Sequence, residues 1–183
     1  VLLLNTFWQN GLDQLSSVCL CSCLLACLPV ACGAGGAGAA ADAAAVDLAA
    51  SVESDGWQVS LADLPEKHLI LGKGNITYQA ENDNIYLIVF VDMANTSSTL
   101  KVMARDLLLV RDGAGIEYKP TKSALQVAYL EQDGSKEGYT VVLDSPLQPG
   151  KSRRGVLSFE VPDAATDLAL AFKGTEPALD LGF

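Results

Sequence analysis

Ile85-Tyr86-Leu87-Ile88-Val89-Phe90-Val91-Asp92-Met93 is the longest strand candidate after Trp57. It is rich in β-branched and aromatic residues, contains neither Gly nor Pro, and so suits a buried strand. Side chains alternate across a strand, which divides the run into two faces. One carries Ile85, Leu87, Val89, Val91 and Met93; the other carries Tyr86, Ile88, Phe90 and Asp92. A sandwich strand needs only one buried face. The second face has two readings. A connecting segment, Leu64 to Leu71 or the terminal Leu179 to Phe183, covers it; or Tyr86, Ile88 and Phe90 form a patch for a protein partner.

The flanking sequence repeats the strand signal in shorter form. Trp57, Val59 and Leu61 alternate with Gln58 and Ser60, and His68 to Leu71 closes at Gly72-Lys73-Gly74. Leu107 to Val110 runs into Arg111-Asp112-Gly113-Ala114-Gly115, a hairpin connection, and returns through Ile116 to Tyr118 before Pro120. Leu125, Val127 and Tyr129 alternate, as do Tyr139, Val141 and Leu143. Leu157, Phe159 and Val161 precede Pro162, and Leu168, Leu170 and Phe172 form a last strand. No segment after Trp57 shows a long helical period. Eight or nine short strands with frequent turns predict an all-β chain, an immunoglobulin-like antiparallel β-sandwich. The expected core is Trp57, Leu87, Val89, Val91, Leu108, Val127, Val141, Leu157, Phe159 and Leu170.

Upstream the character changes. All five cysteines lie between Cys19 and Cys32, inside an apolar leader. They cannot staple the domain, and their alternating spacing is poor for tetrahedral zinc. Val18 to Cys32 is short for a bilayer span but suits the hydrophobic part of a secretory signal. Small residues follow, as at the end of a bacterial lipoprotein signal. Cys32 is the preferred lipidation candidate and Cys27 the alternative. No Lys or Arg precedes the apolar run, where a secretory signal carries a basic segment. An uncleaved anchor over Leu12 to Cys32 is the competing reading, and either one exports the domain. The expected division is residues 1–32 as signal peptide or membrane anchor, 33–56 as an Ala/Gly-rich linker and 57–183 as the sandwich.

Charge and residue types narrow the chemistry. The 183 residues carry a net charge of −10, which disfavours nucleic acid and anionic lipid; Lys151, Arg153 and Arg154 are too few to reverse that. His68 is the only histidine, and the domain has no cysteine. A nucleophile–base pair would rest on His68 alone, and a blue-copper site needs two histidines and a cysteine. Glu81-Asn82-Asp83-Asn84 lacks the spacing of a calcium loop and reads as a turn. Gly72-Lys73-Gly74 is not a phosphate loop. Asn75-Ile76-Thr77 and Asn95-Thr96-Ser97 match the glycosylation pattern, which matters only in a eukaryotic secretory route.

Three blocks resemble a known family. They are Val89-Phe90-Val91-Asp92-Met93-Ala94-Asn95; Asp106 to Asp112 leading through Gly115 to Tyr118; and Leu147-Gln148-Pro149-Gly150 followed by Gly155-Val156-Leu157-Ser158-Phe159-Glu160-Val161-Pro162. In this order they are similar to the domain of unknown function 4352, an Ig-like module of bacterial lipoproteins and secreted proteins. The resemblance implies a surface-exposed sandwich and carries no catalytic residues across. The resulting expectation is a non-enzymatic, exported, lipid-anchored domain that binds a protein or ligand at the cell envelope. It needs no cofactor and touches the membrane through its leader. The alternative is a secreted accessory domain that binds a small ligand or metal ion weakly through its loops.

Overall fold

The computed structural model describes residues 45–132, 136–176 and 178–183. Cys27, Cys32 and the rest of the leader, with the first half of the expected linker (33–44), lie outside the described residues. In chain order the first strands are β1 (Ser51–Ser54), β2 (Trp57–Leu61), β3 (Glu66–His68), β4 (Ile70–Lys73), β5 (Ile76–Gln79) and β6 (Asn84–Asn95). Then come β7 (Lys101–Val102), β8 (Leu108–Arg111), β9 (Glu117–Tyr118), the helix α1 (Ser123–Gln132), β10 (Thr140–Val141) and β11 (Pro146–Leu147). The chain ends with β12 (Ser152–Pro162), β13 (Ala169–Phe172) and β14 (Ala178–Asp180).

Two sheets make the sandwich. The larger is ordered β1-β2-β6-β12-β10, with β3 continuing the lane of β2 beside β6. Its spine is the antiparallel pair β6–β12, matched from Ser152↔Ala94 to Pro162↔Asn84. The smaller sheet is ordered β14-β13-β8-β9. Odd-numbered residues of β6 (Leu87, Val89, Val91, Met93) join Val59, Leu61, Leu157 and Phe159 and pack on Leu108, Val110, Leu170 and Phe172 of the smaller sheet. This is the immunoglobulin-like sandwich core, with one parallel pair, β10 against β12, at its edge.

The even-numbered residues of β6 point the other way. Tyr86, Ile88 and Phe90 form a second core with Val156, Leu71, Ala80 and Tyr129. Its cover is α1 together with the β4–β5 hairpin. Leu71 belongs to the connecting segment named above, whereas Leu179 and Leu181 pack in the first core. The patch reading for Tyr86, Ile88 and Phe90 is therefore corrected: all three are buried within one chain.

Other expectations also change. Leu125, Val127 and Tyr129 lie on α1, not on a strand. Residues four apart share a helix face, so Leu125 with Tyr129 and Gln126 with Leu130 turn inward while Val127 turns out. Val127 is 43% exposed and is not a core residue. The strand expected from Tyr139 to Leu143 shrinks to Thr140–Val141. Val141 is only half-buried; Val142 and Leu143 take the inner positions before the chain turns at Asp144, where φ is 61°. β1 lies inside the span read as linker, and Val52 is buried in the first core. β14 follows the strand expected to be last.

Candidate functional site

The outer face of the larger sheet is closed at one end and open at the other. Tyr86, Ile88 and Phe90 lie under α1; Asp92 and Ala94, further along the same face of β6, do not. The register places Ser60 and Arg154 on either side of Asp92, and Gln58 and Ser152 on either side of Ala94. These residues line a shallow depression of about 440 Å³. The Arg154 guanidinium meets the Asp92 carboxylate with both ends, Nε to Oδ1 and Nη2 to Oδ2, each at 3.2 Å. Hydrogen bonding to Asp92, then the charge of that carboxylate, holds the Arg154 pKa above the usual value. An exposed pair of this kind adds little to stability. Gln58 Nε2 donates to Glu53 Oε1 at 2.8 Å, so donors and acceptors alternate across the open end.

Glu66 stands beside the closed end, on the lane of β3. β3 pairs Glu66 opposite Ile88 and His68 opposite Tyr86, so both side chains share the outer face. The Tyr129 hydroxyl, carried by α1, donates to Glu66 Oε2 at 2.8 Å. His68 Nε2 lies 2.9 Å from the same oxygen. Lys136 Nζ meets Glu66 Oε1 at 3.0 Å and Asp63 Oδ2 at 3.3 Å, and sits 4.2 Å over the Phe90 ring. Burial pulls the Glu66 carboxyl upward, but hydrogen bonds from His68, Tyr129 and Lys136 outweigh it and leave the group below its ordinary value. Burial likewise pulls Lys136 down, and its bonds to Glu66 and Asp63 more than restore it, so its pKa is raised. The His68 ring also packs edge-on against Tyr129, 5.4 Å between centres. These contacts tie α1 and the segment after it to β3.

The three sequence blocks prove to be joints. Asn95 ends β6 fully buried. Its Nδ2 donates to the carbonyls of Thr99 and Leu147, both at 2.8 Å, and its Oδ1 accepts from Ser97 N and Oγ. One amide thus pins a loop and β11 to the end of the spine. Asp112 closes the β8–β9 hairpin: Oδ1 accepts from the amides of Ala114 and Ile116, and Oδ2 from the Tyr118 hydroxyl at 2.8 Å. Gly150 turns the chain with φ 68°, its amide donating to the Asn95 carbonyl. At Gly155 a Cβ would stand 1.8 Å from Val142 Cγ1, so the close approach of residues 140–142 requires glycine.

The remaining candidates have structural surroundings. Glu81 to Asn84 is a turn with Asn82 at φ 50°; Glu160 Oε1 accepts from the Glu81 amide at 2.9 Å and from Asn84 Nδ2 at 3.4 Å. Among the described residues no group of three or more His, Cys, Asp or Glu is placed to hold a metal ion. Gly72-Lys73-Gly74 leads from β4 into the hairpin turn, and Asn75 is exposed there while Asn95 is not. Arg153 donates to the Pro146 carbonyl at 3.3 Å. Sequence reasoning did not single out Glu66, Tyr129 and Lys136 as a group, nor Gln58, Ser60, Asp92 and Arg154. One signal was present for the second group: Asp92 interrupts the outward face of β6 where Gln58 and Ser60 are also polar.

The chain is similar to several solved structures, and the first of them shares this architecture. A conserved hypothetical protein from Bacillus anthracis aligns with a TM-score of 0.55 at 13% identity, over 74% of this chain and 94% of that one. A candidate lipoprotein, ycdA, from Bacillus subtilis aligns at 0.43 and 18% identity, over 70% and 35% of the two chains. An uncharacterized β-sandwich protein from Clostridium difficile gives 0.42 and 16%, over 73% and 89%. No curated protein matches. The domain of unknown function DUF4352 matches residues 51–179, from β1 into β14, and takes in all three joints. The chain belongs to the DUF4352 family.

Proposed function

We propose that this protein is a non-enzymatic domain held outside the cytoplasm by a lipid on Cys32, or on Cys27, and that it binds a protein or small ligand at the cell envelope. The observation that carries the binding reading is the open end of the outer sheet face. There Gln58, Ser60, Asp92, Ser152 and Arg154 line a shallow polar depression while the rest of that face is covered. Shape and mixed polarity suit reversible contact with a hydrated surface. The leader supports export: an apolar run with one small residue, Ala31, directly before Cys32, then an Ala/Gly-rich spacer.

Two experiments test the two halves of the proposal. Intact mass of the cell-derived protein should show a lipidated Cys amino terminus that Cys32→Ala abolishes; an unmodified full-length amino terminus contradicts the anchor. A photo-crosslinking residue at Ser60 should capture a cell-envelope component in intact cells. The same residue at Val127, exposed on α1, should not. Equal capture at both positions contradicts binding at the open face.

A further inference from the structure

Gln126 is fully buried on α1, and neither its Nε2 nor its Oε1 has a hydrogen-bond partner. A buried amide left unpaired carries the full cost of desolvation with nothing returned. The helix that carries it is short. It is ten residues long, and its buried residues are Gln126, Ala128 and Tyr129. It has no acidic residue in its first turn and no basic residue in its last, so neither end is matched to the helix dipole. Tyr129, with Leu125 and Leu130 beside it, seats the helix on the second core, and two polar contacts latch its edge: Tyr129 on Glu66, and Gln132 Oε1 accepting from the Gly72 amide at 2.8 Å. Beneath it lie Tyr86, Ile88, Phe90 and Val156, on a sheet whose other face is packed by the sandwich core.

We infer that α1 is a separately opening cover, latched through Glu66, that lifts from the outer face of β6 while the sandwich beneath stays folded. An orphaned amide under a short helix lowers the cost of lifting that helix, because lifting rehydrates Gln126. The sandwich is not committed to the same event. Its spine is held by the long β6–β12 ladder and by the opposite core, neither of which touches Gln126's deficit. Lifting bares the apolar residues of β6, so the closed state hides a second surface distinct from the open polar depression.

Residues 88 and 89 are neighbours on one strand that face opposite cores, which makes a direct test available. Ile88 lies under the cover and Val89 lies between the sheets. The chain has no cysteine after Cys32, so a single introduced thiol is resolved from the leader by peptide mass. Thiol labelling of full-length Ile88→Cys should run at least about tenfold faster than that of Val89→Cys under native conditions. Gln126→Leu removes both unpaired atoms at similar shape and should slow labelling at position 88 by roughly tenfold, leaving position 89 unchanged. Glu66→Gln should accelerate labelling at 88 only. Backbone amide exchange gives the same contrast without a thiol: residues 126–130 should exchange faster than β6 and β12. Equal labelling at 88 and 89, or α1 amides exchanging together with β12, overturns the inference.

Discussion

The two faces of β6 are equally apolar over Ile85 to Val91 yet are covered by different means. The inner face meets a second sheet. The outer face meets a ten-residue helix and a two-stranded hairpin pinned by Glu66, Lys136 and Gln132. An inner residue is locked by strands whose backbone bonds run through the whole ladder. An outer residue depends on a cover joined to the sheet by side chains. The same hydrophobic strand is therefore held by long-range pairing on one side and by local latching on the other.

Truncating the inner core should give the largest effect. Phe159 is fully buried opposite Leu87, and Phe159→Ala should cost about 3–5 kcal/mol by urea unfolding. A loss below 1 kcal/mol would erase the contrast between the faces. Gly155→Ala comes next. The new methyl would collide with Val142, and overpacking of this kind costs about 1–3 kcal/mol. Restoration by Gly155→Ala with Val142→Ala would place the strain at that contact.

The smallest effect is pH dependence confined to the outer cover. The folded Glu66 pKa lies below its ordinary 4.5, so its contribution is present above that pH and lost as pH falls through the folded value. Lys136 is raised above 10.5, so its contribution is present below that pH and lost as pH rises through the folded value. Amide exchange in α1 should therefore speed up at both extremes before exchange in β12 does. Uniform loss of protection across both cores would contradict the separation.

What the sequence revealed follows the same divide. Trp57, Leu87, Val89, Val91, Leu108, Leu157, Phe159 and Leu170 were legible as core because each sits in a strand with clear alternation, and all are buried. The family blocks were legible as spacing, but their physical content emerged only with the fold: Asn95 bonds to Leu147 across 52 positions. The helix was missed because Leu125, Val127 and Tyr129 satisfy a two-residue period, and so short a window cannot separate that from one helix face. The Glu66 latch joins residues from Asp63 to Lys136 through topology, and no local pattern marks it. The open depression was half legible: Gln58 and Ser60 were read as the polar side of a strand, while Asp92 and Arg154 acquired meaning only once they were paired.

The most direct test is Phe90→Ser in the full-length chain, measured by urea unfolding and by sedimentation. Phe90 is buried under Tyr129, Tyr139 and Lys136 within one molecule. The account predicts a marked fall in the unfolding midpoint with no change in molecular mass. Unchanged stability together with dissociation of an oligomer would show that the outer face of β6 is covered by another molecule, and would contradict it.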